Sequence, residues 1–178
     1  NKQIVAALQE RGCKAVGLSG ADGNSVPATK RAANPIDWGF VGDVNPQDIN
    51  SEFLELLLNG GYVPVFCAIT HDSHGSLLNT NADTMAAETA KALANIYDTT
   101  LIYCFELPGV MRNPEDAGSL IPTINGESYR QLLADGTICG GMIPKMENAF
   151  NAIGNGVVKV IITKADAIDG THGTHIIA

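Results

Sequence analysis

Apolar and polar positions follow two rhythms along this chain, one of helical period and one of short unbroken apolar runs, and their order predicts the elements. Ile4, Val5 and Leu8 recur at helical spacing within residues 2–11, with Gly12 placed to close that helix. Residues 14–18 form a short apolar strand, and the polar, glycine-bearing loop 19–25 follows at its carboxyl end, where open α/β sheets place ligands. Residues 26–44 contain Pro27, Pro35 and a WGFVGDV segment and read as short strands or a hairpin outside the main sheet. Asn45 and Pro46 supply an N-cap and an N1 proline for a second helix. Its buried face would be Ile49, Phe53, Leu56 and Leu57, with Asn59, Gly60 and Gly61 ending it. Residues 62–69 are uninterruptedly apolar, the pattern of a strand buried on both faces, and 71–75 make a turn.

The stretch 77–94, LLNTNADTMAAETAKALA, is the centre of the pattern. Asn79, Asn81 and Asp83 precede an alanine-rich run of good helix formers, and Asn81 and Asp83 are both N-cap types. Beyond it, 99–105 is a buried strand, 106–111 a turn at its carboxyl end and 112–119 a polar loop. Asn125 caps a helix that ends at Asp135 and Gly136. Gly140 and Gly141 lead into another helix, with Pro144 in the first turn where proline is tolerated, and Gly154 to Gly156 close it. A buried strand at 157–163 and a last one at 174–178 complete the chain. Helix and strand in alternation mean an α/β fold with a mostly parallel sheet.

Composition removes several function classes. The formal charge of −8 and the pI near 4.8 argue against nucleic acid and anionic membrane surfaces as partners. No apolar run is long enough to span a bilayer, and no signal peptide is visible. Cys13, Cys67, Cys104 and Cys139 are dispersed without metal-ligand spacing, which predicts reduced thiols in a cytoplasmic protein. His71, His74, His172 and His175 show no metal pattern either and read as solvated loop residues.

Two readings stand side by side for each candidate residue. The helix start near Asn81 and Asp83 carries unsatisfied N–H groups that suit an anion, but these residues equally suit a plain capped helix. Asp83 could orient a cation or serve as a cap. Lys145, after a double glycine, could converge with backbone donors on a phosphoryl group or could be solvated surface. There is no Walker A motif, no GxGxxG after a strand and no GxSxG.

Taken together, the segments GLSGAD (17–22), LNTNAD (78–83), ELPGV (106–110) and GGMIPK (140–145) resemble those of the acetylglutamate kinases, within the amino acid kinase family, in order and in spacing. The resemblance covers nearly the whole chain. It implies an αβα sandwich with a mostly parallel central sheet. An amino lobe over 1–98 would bind the acyl amino acid and dimerise, and a carboxyl lobe over 99–178 would bind nucleotide. It implies phosphorylation of the side-chain carboxylate of an N-acylated glutamate by ATP, with Mg2+ carried by the nucleotide, in arginine biosynthesis, by a homodimer or higher homo-oligomer. By the same resemblance Asn79 and Asn81 contact the acylglutamate, and Lys145 neutralises the transferring phosphoryl. Asp83 orients the catalytic lysines. Glu106, Leu107, Pro108, Gly109, Val110 and Met111, with Thr137, Ile138 and Cys139, form the nucleotide segments.

Two departures from the family pattern are visible. Its amino-terminal part, with two glycine-rich turns, a catalytic lysine and an arginine, has no counterpart in these residues, so the expectation is an amino-terminally incomplete chain that is inactive alone. Glu106 stands where the family has aspartate. Another member of the same family, or a fragment that only binds nucleotide or a partner, is the competing expectation.

Overall fold

In the computed structural model, which describes residues 1–178, the first helix, α1 (Lys2–Glu10), ends where Gly12 takes φ +77° and its N–H returns to Gln9 O at 2.9 Å. The chain divides into two units, Asn1–Ala92 and Leu93–Ala178.

In the first unit, α1 leads into β1 (Ala15–Leu18), which pairs in parallel with β4 (Val63–Phe66). Between them lie a two-residue antiparallel ribbon, β2 (Thr29–Lys30) with β3 (Gly42–Asp43), and helix α2 (Ser51–Asn59). The ribbon is the hairpin expected outside the main sheet. The second helix begins later than its Asn45–Pro46 signal predicts. Asn45 Oδ1 accepts only the Gln47 N–H, closing a single 3-10 turn, and Asn50 is the N-cap of α2 through Phe53 N at 3.1 Å. The helix face shifts with it: Leu54 is buried and Ile49 is buried ahead of the helix, whereas Leu56 is 69% exposed.

The apolar run 62–69 is not one doubly buried strand. β4 stops at Phe66, Tyr62 and Val63 are largely exposed, and Ile69 belongs to a different ribbon, β5 (Ile69–His71) with β6 (Leu77–Asn79), antiparallel. His71 therefore lies in a strand rather than in the turn. Unbroken hydrophobicity cannot reveal where a chain leaves one sheet for another. The β5–β6 ribbon is fastened inside by Thr70 and Thr80, both buried, whose hydroxyls meet at 2.8 Å, and Thr80 also donates to Gly42 O at 3.3 Å. Helix α3 (Ala82–Leu93) follows, burying Met85, Ala87 and Ala90.

The second unit is built on a four-stranded sheet of order β7-β9-β10-β8, from β7 (Thr100–Phe105), β8 (Thr123–Ile124), β9 (Lys159–Lys164) and β10 (Thr174–Ile176). β7 runs parallel to β9, and β8 parallel to β10, while β10 runs antiparallel to β9. Val160, Ile161 and Ile162 at the sheet centre are fully buried. Helix α4 (Gly126–Ala134) starts with a capping box in which Asn125 and Ser128 satisfy each other's backbone N–H groups, as the Asn125 signal predicts. Helix α5 (Met142–Gly154) buries Met146, Ala149 and Ala152.

Candidate functional site

In the first unit Asn79 and the loop after β1 meet at Ile69. Register pairs Ile69 with Asn79, and the loop leaving β1 reaches the same residue through Gly20 N to Ile69 O at 2.7 Å. Asn79 is held from its other side, its N–H donating to Phe40 O at 2.8 Å. Its side chain is exposed, and its amide has no protein partner, so both ends are open to a ligand. Asn81 is the N-cap of α3: Oδ1 accepts Thr84 N at 3.0 Å, leaving only its NH2 to donate elsewhere. Asp83 is therefore inside the first turn and is not the cap, a distinction that two adjacent cap-type residues hide in sequence. The loop after β1 carries its own carboxylate. Asp22 accepts both Ser19 N and Ser19 Oγ at 2.7 Å, and these bonds, with the nearby Lys2 charge, hold its pKa below the usual aspartate value.

In the second unit, the turn that follows β7 is pinned from within. Thr174 Oγ1 accepts Val110 N at 2.8 Å and donates to Ile121 O at 2.7 Å, while Ile121 N returns to Val110 O at 2.9 Å. Gly109 is required by close approach, since a Cβ there would stand 2.6 Å from Thr174 Oγ1 and 2.7 Å from Leu120 Cδ1. Val110 and Met111 have buried side chains, so to a ligand this turn offers backbone groups and the exposed Glu106 and Pro108, with Leu107 half-buried.

The other expected nucleotide segment lies close to this turn. Arg112, next to Met111, approaches Asp135 at 3.9 Å, and Asp135 accepts Thr137 N at 2.9 Å. Thr137 thus lies beside the exit of the 106–111 turn. Hydrogen bonds from Thr137, then the Arg112 charge, hold the Asp135 carboxyl below its usual pKa. Ile138 is anchored in the core, its N–H on Leu132 O at 2.9 Å, whereas Cys139 and Gly140 are exposed at the entry to α5.

Lys145 sits in the first turn of α5, half-buried, with Nζ 4.6 Å from the ring centroid of Tyr103 in β7. The ring is buried and its face attracts a cation, so the ammonium is drawn over β7, two residues short of its carboxyl end, instead of wandering in solvent. Register places a further cation there: Lys164, the last residue of β9, stands opposite Phe105, 3.7 Å from Asp166. Only the pairing of β7 with β9 brings it to this place, so no local sequence signal marks it.

The sequence matches the family model described as the amino acid kinase family over residues 1–164. It is 53% identical over 174 residues to the acetylglutamate kinase of Phocaeicola vulgatus, a match spanning 98% of this chain and 67% of that protein. The chain thus spans about two thirds of the length of the curated relative it matches. Among solved structures, smu.665 of Streptococcus mutans aligns with TM-score 0.80 and 28% identity, over 98% of this chain and 65% of that one. A carbamate kinase from Giardia shares the fold at TM-score 0.64 and 17% identity, over 99% of this chain and 67% of that one. With its four motifs in order and the fold of these kinases around them, the chain belongs to the amino acid kinase family, on the branch of the acetylglutamate kinases.

Proposed function

We propose that the function this sequence serves is ATP-dependent phosphorylation of the side-chain carboxylate of N-acetyl-L-glutamate, or a closely related N-acylglutamate, in arginine biosynthesis. The observation that carries the proposal is the identity to an acetylglutamate kinase across nearly all of this chain. The geometry of each unit supports it. In the first, Asn79 presents an amide with both ends open beside the loop that leaves β1, suited to an anionic amino-acid derivative. In the second, backbone groups of the pinned 106–111 turn, the Thr137–Cys139 segment and the half-buried Lys145 offer what a nucleotide needs.

In the reaction a carboxylate oxygen attacks the γ-phosphorus, the bond to the β–γ bridging oxygen breaks, and ADP departs with that electron pair. Such a transfer asks the protein for positioning and charge neutralisation more than for covalent chemistry. Asn79 and Asn81 hold the acylglutamate, Lys145 stabilises charge on the transferring oxygens, and Asp83 orients the cationic groups. The reading has Mg2+ arrive on the phosphates of ATP. It also has the enzyme in the cytoplasm, supported by four free cysteines. No helix is long and apolar enough to cross a membrane. A homodimer or higher homo-oligomer is supported by Ile4, Leu56, Tyr62 and Val63, large apolar side chains left exposed in the first unit.

The test is an ADP-release assay with N-acetylglutamate, on the 178-residue chain and on a version extended to the full length of its relatives, each with Asn79→Ala. Asn79→Ala should raise KM for the acylglutamate well above any change in KM for ATP, since a hydrogen bond to a charged group is worth about 1.5–3 kcal/mol. Equal effects on both constants would assign Asn79 a structural role, and no acylglutamate-dependent ADP release from either version would overturn the function.

A further inference from the structure

Asn1 occupies the N-cap of α1, where an asparagine side chain ordinarily accepts an N–H of the first turn. Its side chain makes no such bond. The amide is turned the other way and donates to Leu18 O at 3.1 Å and Val65 O at 2.6 Å, carbonyls near the carboxyl ends of β1 and β4. Lys2 adds a third contact, from Nζ to Gly17 O at 3.0 Å. Residue 17 has to be glycine for this arrangement, because a Cβ there would overlap Asn1 Oδ1 and press on Lys2 Nζ at 3.0 Å. Two neighbouring side chains thus tie a helix start to the last peptide groups of two parallel strands.

What these strands carry next is the candidate site. Ser19 to Asp22 follow β1 directly, and Gly20 fastens to Ile69, the register partner of Asn79. Cys67, after β4, donates its N–H to Leu18 O at 2.9 Å, the carbonyl that Asn1 also uses. From this we propose that Asn1 and Lys2 are positioning residues, which fix the carboxyl ends of β1 and β4 and, through Gly20 and Ile69, the placement of Asn79. Neither needs to touch substrate. The proposal rests on the reading of Asn79 as an acylglutamate ligand, and its test separates the two.

Amide hydrogen exchange on the 178-residue chain reads positioning without reference to activity. Asn1→Asp keeps the size and removes both donors, and Gly17→Ala should act like it by displacing the Asn1 side chain. In both, the amides of Gly20, Cys67 and Asn79 should exchange at least about tenfold faster, with those of α5 unchanged. Unaltered exchange at all three, or equal acceleration throughout the chain, overturns the proposal. In the full-length form, Asn1→Asp and Lys2→Met should raise KM for N-acetylglutamate several-fold with kcat and KM for ATP held, and Lys2→Arg should restore the parent value. A uniform loss in all three constants, or no loss, also counts against it. A parent that ignores N-acetylglutamate refutes the functional reading alone, and exchange at Asn79 then decides the positioning role.

Discussion

The hydroxyl of Thr174 accepts the Val110 N–H at 2.8 Å, joining a turn to a strand 64 residues later. Thr174 is fully buried and also donates to Ile121 O. Thr174→Val would keep the shape and leave a buried N–H and a buried carbonyl each short of a partner. An unsatisfied buried group costs about 1–3 kcal/mol, so a lower melting temperature is expected. If the 106–111 turn binds nucleotide, KM for ATP should rise while KM for the acylglutamate holds. Gly109→Ala should reproduce both effects, because its Cβ would meet the same hydroxyl. Thermal melts with steady-state kinetics check it, and a variant that melts lower with KM for ATP unmoved would place the turn outside the nucleotide site.

Acid sensitivity should have an identifiable share from the loop after β1. The pKa of Asp22 is lowered by the Ser19 N–H, then by the Ser19 hydroxyl, with a smaller contribution from Lys2. A carboxylate with a depressed folded pKa adds stability above its unfolded value, near 3.8, and that stability is lost as pH falls through the folded value. The parent should therefore lose stability below the ordinary carboxylate range, and Asp22→Asn should show a shallower loss there. Urea denaturation at a series of pH values from neutral to about 3 measures it. Parallel curves for parent and variant would show that Asp22 contributes nothing to the acid limb.

The helix signals were the most legible part of the chain. Asn125, Gly136 and the Gly140–Gly141 pair mark ends that depend on a few neighbouring atoms, and the structure uses them as the sequence predicts. Asn45 misled because an N-cap with a following proline can close a single 3-10 turn as well as start a helix, and the choice was made by Asn50 five residues on. The run 62–69 misled because its last apolar residue, Ile69, already belongs to the β5–β6 ribbon, and only pairing with β1 or with β6 divides it. The same limit applies to the site. Asn79, Asp83 and Lys145 are visible as motif residues, whereas the partners that hold their surroundings, such as Ile69, Tyr103 and Thr174, are distant in sequence and were not. Asn1 is the sharpest case, since its amide reaches Leu18 O and Val65 O, 17 and 64 residues away in sequence.

Asp83 separates capping from catalysis by direct substitution. Asn81 already caps α3 through Thr84 N, so Asp83→Asn alters charge without touching the cap. In the full-length form, kcat should fall while both KM values stay close to the parent, and the far-ultraviolet circular dichroism should not change. Loss of helix signal would instead show a structural role. A variant with parental kcat would remove Asp83 from the chemistry.

Lys145 bears the heaviest functional assignment. Its ammonium is held over Tyr103, two residues before the end of β7, and on the proposed function it meets the negative charge of the transferring phosphoryl. An interaction that strengthens only as that charge develops lowers kcat when removed and leaves ground-state binding nearly intact. Losing one preorganised donor of this kind costs on the order of 10²–10³ in rate. Lys145→Ala in the full-length form should fall on that scale. Lys145→Arg should recover only part, because a planar guanidinium stacks on the Tyr103 face readily but cannot place a compact point charge where the ammonium was. Loss of the cation from above the ring also removes about 0.5–2 kcal/mol of attraction, so a small drop in melting temperature is expected in the alanine variant and not in the arginine variant. The two readouts separate the roles. If both variants keep kcat within a few-fold of the parent while only the alanine variant melts lower, Lys145 is a structural cation on Tyr103 and phosphoryl transfer must draw its positive charge from elsewhere, with Lys164 the first residue to test.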